Sequence, residues 1–236
     1  MDRWRELSAV VEERLKAVSS GERGVFAAGV AERLMCWHEA LPEDEQAPFT
    51  VSLRPLLNSV WEGVLGDSTA FSAVKRGVGE YMLSEYCHND GQDGPDDADE
   101  SAAAAALYAA HAYLFGCQEF AAWTSSRAVE AIDQHLEYLA DQEEDELPVV
   151  DTDEALASEL QRQLRDLDLI ARYSKDLRHA GLGLPIDTSI RLRVELRAPL
   201  SSRALTPQRP RPGTESSNPC WPASTRWFET GRHLFE

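Results

Sequence analysis

Apolar residues recur at helical spacing from Trp4 to about Leu177, with polar and mostly acidic residues between them. A spacing of three or four positions places apolar side chains on one face of a helix, which a water-soluble domain buries. The sequence therefore predicts a single all-α bundle over residues 1–183. Helices are expected at about residues 2–18, 22–41, 52–65, 68–86, 99–123, 125–140 and 152–180.

Several details refine this predicted bundle. Five successive alanines, Ala102–Ala106, let a neighbouring helix approach closely, so we expect the helix over 99–123 to be central. Trp61 falls on an apolar stripe and is expected in the core. The helix over 68–86 is expected to bury Phe71, Val74, Val78, Met82 and Tyr86. Asp151, with Glu154 three residues later, predicts a capped start for the last helix.

The periodic pattern ends near residue 183. Residues 190–196 alternate between apolar and polar types, which is typical of a short strand. From Ala198 onward Pro, Ser, Arg and Thr dominate without periodicity, a composition that favours disorder. The sequence therefore predicts an irregular tail over 184–236.

The net charge of the chain indicates which class of partner it can bind. The formal net charge is -18, and the tail after Leu200 holds more basic than acidic residues, so the helical body is the acidic part. Such a body repels nucleic acids and anionic membranes and attracts basic proteins. The densest acidic run, residues 141–154, contains Glu143, Glu144 and Asp145. It is either a solubilising loop or a docking surface for a basic partner.

The chain carries no pattern typical of a membrane or secreted protein. It has no apolar run of the roughly 18 to 20 residues that a membrane helix needs, and its start lacks the apolar stretch of a signal peptide. Its four cysteines form no Cys-x-x-Cys pair, and three of them fall in predicted apolar helices. We therefore expect a cytoplasmic protein with no cofactor.

Four short motifs follow the order found in the YjaG-like bacterial proteins, a family of all-helical domains without an established activity. They are Glu32–Met35, Leu56–Glu62, Asp96–Asp99 and Lys175–Gly181. The segment from residue 25 to about 183 resembles that family, and departs from it just before the Ala-rich helix and after Pro185. The resemblance implies an all-helical, cytoplasmic bacterial protein and implies no reaction.

The family motifs supply further candidate binding residues. Glu32, Arg33 and Glu62 could form a structural network of ion pairs or a recognition patch, and the structural alternative is favoured because partly buried pairs are common in helix bundles. Asp96 and Asp97 lie in an acidic loop over 89–100. That loop superficially resembles a calcium loop, but Gly91 stands where a side-chain ligand is needed.

The metal-binding alternative rests on a single Glu-x-x-His unit, Glu85 and His88, which di-iron bundles use in pairs. His38, His111 or His135 would have to join it from another helix. No phosphate loop, dinucleotide turn or nucleophile elbow occurs. The leading prediction is therefore a non-enzymatic, immunity-like or regulatory protein that binds a basic partner, with self-association possible. The alternative is a metal-binding helical-bundle enzyme.

Overall fold

The computed structural model describes residues 2–86, 98–141, 151–178 and 186–197, and all regular structure in these ranges is helical. This confirms the all-α prediction. The helices are α1 (Arg3–Ala17), α2 (Ser20–His38), α3 (Pro48–Ser52), α4 (Arg54–Val64), α5 (Ala70–Met82), α6 (Ala98–Phe115), α7 (Gln118–Asp141), α8 (Thr152–Arg172), α9 (Ser174–Arg178) and α10 (Ile186–Leu196).

Two small-residue helices, α2 and α6, form the centre of the bundle. Helix α6 packs mainly against α2 and α7, and most of its alanines are fully buried, which confirms its predicted central position. Glycines on α2 help to bring helices together. A Cβ atom at Gly24 would lie 3.0 Å from Val64, and one at Gly29 would lie 3.2 Å from Leu196. Small side chains thus allow the backbones of neighbouring helices to approach closely, so the core is filled without large side chains.

Side-chain caps define where two of the helices begin. Helix α2 starts with a capping box, in which the backbone N–H of Ser19 donates to the Glu22 carboxylate and the Glu22 N–H donates to the Ser19 hydroxyl. Helix α8 begins as predicted, because the Asp151 carboxylate accepts a hydrogen bond of 3.3 Å from the backbone N–H of Glu154.

The break between α6 and α7 lies eight residues earlier than predicted. The expected helix over 99–123 ends at Phe115, the next residue Gly116 adopts a φ of 66°, and α7 begins at Gln118. A left-handed residue of this kind ends a helix, and glycine adopts it without a steric penalty. Trp123 consequently lies on α7 and not at the end of α6. Helix α4 begins at Arg54, close to the predicted start at about residue 52, whereas a short break at Tyr173 divides the predicted helix over 152–180.

The predicted strand over 190–196 is wrong, because these residues belong to helix α10. The structure places no strand beside this segment within the described residues, and a helix satisfies its own backbone hydrogen bonds without a neighbour. Leu192 and Leu196, four residues apart, are fully buried in the core. The folded unit therefore extends beyond the predicted boundary at residue 183, and the rest of the predicted tail lies outside the described residues.

Helix α5 exposes more apolar surface than the sequence predicts. Val74 is buried, but Phe71 is 47% exposed and Met82 is 38% exposed, and Tyr86 is exposed as well. Helix α5 packs mainly against α4 and α6. Only the side of α5 that faces those helices is covered, and Tyr86 lies beyond the end of α5. The prediction of burial is therefore confirmed for Val74, and Val78 packs partly buried against the core, but it is wrong for Phe71, Met82 and Tyr86.

Two further observations concern compartment and chemistry. Within the described ranges, each helix is too short or too polar to span a bilayer. Cys36 lies half-buried on α2, and Cys117 is exposed in the α6–α7 turn instead of lying inside a helix. Cys87 and Cys220 lie outside the described residues.

Candidate interaction site

An arginine of α2 is buried among carboxylates of α8. The Arg33 guanidinium lies 3.0 Å from Glu159 and 2.8 Å from Asp166, and it also donates to the backbone carbonyl of Leu196 at 3.1 Å. All three charged side chains are at least nine-tenths buried. Gln163 extends the group by donating to Glu159 and accepting from the Ser125 hydroxyl. We call these five side chains, Arg33, Glu159, Asp166, Gln163 and Ser125, the Arg33 cluster.

Burial and pairing act in opposite directions on the pKa values of this cluster. Burial disfavours the charged guanidinium, but the two carboxylates outweigh it, so the pKa of Arg33 is raised. Burial also raises the pKa of Asp166, and the attraction of Arg33 and Arg162 only partly offsets this effect. Pairing with carboxylates thus dominates for Arg33, whereas burial dominates for Asp166.

A second ionic group holds α2 against α4. Arg54 lies 2.9 Å from Glu32 and forms a bidentate pair with Glu39, at 2.5 and 2.7 Å. The indole N–H of Trp61 donates to the same Glu32 carboxylate at 3.1 Å. Burial disfavours the Arg54 cation, but Glu39 and Glu32 raise its pKa on balance. We call Glu32, Glu39, Arg54 and Trp61 the Glu32 cluster.

A third arginine is directed at backbone carbonyl groups. Arg23 donates to the carbonyls of Leu15 at 3.0 Å, Val18 at 2.8 Å and Gly116 at 2.7 Å. The first two carbonyls belong to the end of α1, and the third belongs to the α6–α7 turn. Arg23 therefore joins two turns that are distant in sequence.

The predicted binding residues fall into three groups. Glu32 and Arg33 are each 1% exposed and bound to different partners, so burial keeps both from touching a docked molecule directly. They occupy the two clusters as structural ion pairs. Glu62 is exposed on α4 and acts electrostatically on Arg193, which also interacts with Glu32. Asp96, Asp97, Glu143, Glu144 and Asp145 lie outside the described residues.

Inward placement of arginine leaves the exterior acidic. In the described ranges, exposed carboxylates are about twice as numerous as exposed basic residues. The exposed acids include the consecutive Glu43, Asp44 and Glu45 after α2. The exposed bases of these ranges are Arg3, Arg5, Lys16, Lys75, Arg76, Arg165, Arg172, Lys175 and Arg191. A surface with this balance attracts cations and cationic proteins.

The histidines proposed as metal ligands have other neighbours. His38 is buried and its Nε2 accepts from the backbone N–H of Ala47 at 3.0 Å. His135 packs edge-on against Trp37, with 5.0 Å between ring centroids. Glu85 is exposed after α5, and His88 lies outside the described residues. Among the described side chains, no three metal-ligating groups converge.

The sequence interpretation missed a cluster of rings where α6 meets α7. Phe120 is its centre, with ring centroids 4.9 Å from His111, 5.2 Å from Trp123 and 6.1 Å from Phe115. Tyr108 completes it, 5.5 Å from Trp123. Phe115 is 63% exposed and Trp123 is 48% exposed. We call these five residues the aromatic corner.

A signal for this corner exists in the sequence. Tyr108, His111 and Phe115 have the spacing of one helix face, and Phe120 and Trp123 have it again. A continuous helix through residue 116 would have placed the two sets on different faces. Only the turn at Gly116 brings them together.

Comparison with known proteins yields no family model, no curated protein and no solved structure that matches this chain.

Proposed function

We propose that this protein is a non-enzymatic interaction protein that binds a basic protein and thereby neutralises or regulates it. The observation that carries the proposal is the acidic excess among the exposed residues. Arg23, Arg33 and Arg54 are directed at internal carboxylates or carbonyls, whereas the exposed residues are predominantly acidic.

The acidic excess affects how fast and with which partners the protein associates. A net charge of -18 creates a negative potential around the molecule, which accelerates the encounter with a cationic partner and disfavours anionic ones. The arginines held inside are counted in this net charge, but they are directed at internal acceptors and are not presented to a docked partner. Membership of the YjaG-like family is part of the same proposal, and it would make the partner a bacterial protein.

Capture of partners from lysate of the source organism tests the proposal. The tagged full chain is used as bait at low and at high ionic strength, and bound proteins are identified and quantified. We expect a basic protein in stoichiometric amount at low ionic strength and its loss at high ionic strength, because salt screens exposed charges. A neutral partner, or binding that salt does not change, would overturn the proposal.

Two matched variants show whether the charge itself is responsible. In the first, three exposed acids are changed to glutamine: Glu12, Glu80 and Glu195. In the second, three exposed bases are changed to glutamine: Arg3, Lys75 and Lys175. We expect the first variant to capture less partner than the parent and the second to capture at least as much. Equal losses in both variants would contradict an electrostatic role for the acids.

A further inference from the structure

The aromatic corner has the physical character of a binding hot spot. Its five rings pack against one another, so their positions are fixed before any partner arrives. Arg23 braces the same turn by donating to the Gly116 carbonyl at 2.7 Å. Rigid aromatic side chains with exposed faces contribute strongly to interfaces, because little conformational entropy is lost when they are covered.

Carboxylates flank the exposed ring of this corner. On α7, Glu119, Trp123, Glu130 and Glu137 are separated by four, seven and seven residues, a spacing that places them on one face of the helix. Glu119 and Glu137 are exposed, and the Glu130 side chain, which pairs with Arg127, is 41% exposed. An aromatic face between acids offers both a stacking surface and a negative charge.

This combination matches one chemical group better than others. A guanidinium is planar, stacks on an aromatic face and forms bidentate hydrogen bonds with a carboxylate, whereas an ammonium ion is a compact and strongly hydrated point charge. A second copy of this chain is a poor occupant, because it carries the same net charge of -18.

We infer that the aromatic corner is the docking site for an arginine-presenting segment of the basic partner, with a guanidinium stacked on Trp123 and paired with Glu119. The inference rests on the proposed function and names the site and the recognised side chain. Phe115 and Phe120 supply the apolar surface beside that guanidinium.

Fluorescence anisotropy with two labelled peptides tests the inference on the full chain. One peptide alternates arginine and serine, and the other has lysine at each arginine position, so length and charge are equal. We expect the arginine peptide to bind about tenfold more tightly, because planar stacking on the ring and bidentate pairing with a carboxylate are open to a guanidinium and not to an ammonium ion. We expect Trp123→Ala to remove this difference and Glu119→Gln to weaken binding of the arginine peptide.

Matched controls lie on α5. Phe71→Ala removes a ring of similar exposure, 47% against 48% for Trp123, and Glu80→Gln removes an exposed carboxylate. Both should leave the preference for arginine unchanged. Circular dichroism establishes that each variant is folded, and Trp123→Phe provides a second variant that keeps an aromatic face and should retain part of the preference.

The outcomes separate this inference from the broader proposal. If both peptides bind and Trp123→Ala changes neither affinity, the aromatic corner is not the site, while binding of basic partners stands. If neither peptide binds at low ionic strength, the inference also fails, and capture from lysate decides the proposed function independently. If sedimentation shows a dimer of the chain that Trp123→Ala dissociates, the occupant is a second copy and the inference is overturned.

Discussion

The two most unusual regions of this molecule differ in opposite ways from the common arrangement of a globular protein. In the Arg33 cluster, charged side chains are buried between α2 and α8. In the aromatic corner, large apolar rings are exposed where α6 meets α7. Buried charge requires complete pairing to be tolerated, whereas exposed rings need no partner for folding. The Arg33 cluster therefore stabilises the fold, whereas the aromatic corner is available for binding.

The largest expected effect comes from removing Arg33, the central cation of the buried cluster. We expect Arg33→Met to lower the free energy of unfolding by about 3–5 kcal/mol, because Glu159 and Asp166 would remain buried without their counter-charge. Urea denaturation measures the change. Arg14→Met is the matched control, since Arg14 pairs with Asp168 at the surface, where a pair contributes less than about 1 kcal/mol.

A triple variant tests the interpretation of Arg33 further. Adding Glu159→Gln and Asp166→Asn to Arg33→Met removes the uncompensated charges, so part of the lost stability should return. If Arg33→Met costs no more than Arg14→Met, the buried cluster does not hold α2 against α8.

The next largest effect is expected for Trp61 in the core, and it is compared with that of Trp123 in the aromatic corner. Trp61 is fully buried and donates to Glu32, so Trp61→Ala should cost about 3–5 kcal/mol through the cavity and the unpaired carboxylate. Trp123 is 48% exposed, and Trp123→Ala should cost about 1 kcal/mol or less. Thermal or urea unfolding of both variants measures the two losses in the free energy of unfolding. A similar loss in both would mean that the aromatic corner is needed for folding.

The sequence predicts the parts of this structure that depend on local pattern. The helical class follows from apolar spacing, the burial of Trp61 from its stripe, and the central position of α6 from its alanines. The start of α8 follows from Asp151 and Glu154. Each of these features depends on residues within one helical segment.

The features that escaped prediction depend on contacts between distant segments. Arg33 meets Glu159 and Asp166 across 126 and 133 positions, and no local pattern specifies that pairing. Helix α10 illustrates the same limit, because its alternating residues favour a strand until packing of Leu192 and Leu196 against the core is known. The aromatic corner could be predicted only by knowing that Gly116 adopts the left-handed conformation, and the pattern of apolar residues does not indicate this.

The smallest expected effect concerns pH and lies in the aromatic corner. Burial lowers the pKa of His111 below the ordinary histidine value of 6.5. The unfolded chain therefore takes up a proton at a higher pH than the folded chain does. The stability that depends on His111 is complete above about pH 6.5 and is lost as the pH falls from there towards the lower pKa of the folded state. Partial exposure of the ring keeps this loss small.

His111→Phe tests this contribution because phenylalanine keeps a ring beside Phe115 and Phe120 but cannot take up a proton. We expect the variant to lose less stability than the parent when urea unfolding is compared at neutral pH and near pH 5. His135, whose pKa is lowered by burial in the same way, remains as a second source of pH dependence, so the slope should become shallower without vanishing. Parallel curves for parent and variant would place His111 in a fully hydrated environment. The rings around it would then be too loosely packed to act as a preformed binding surface.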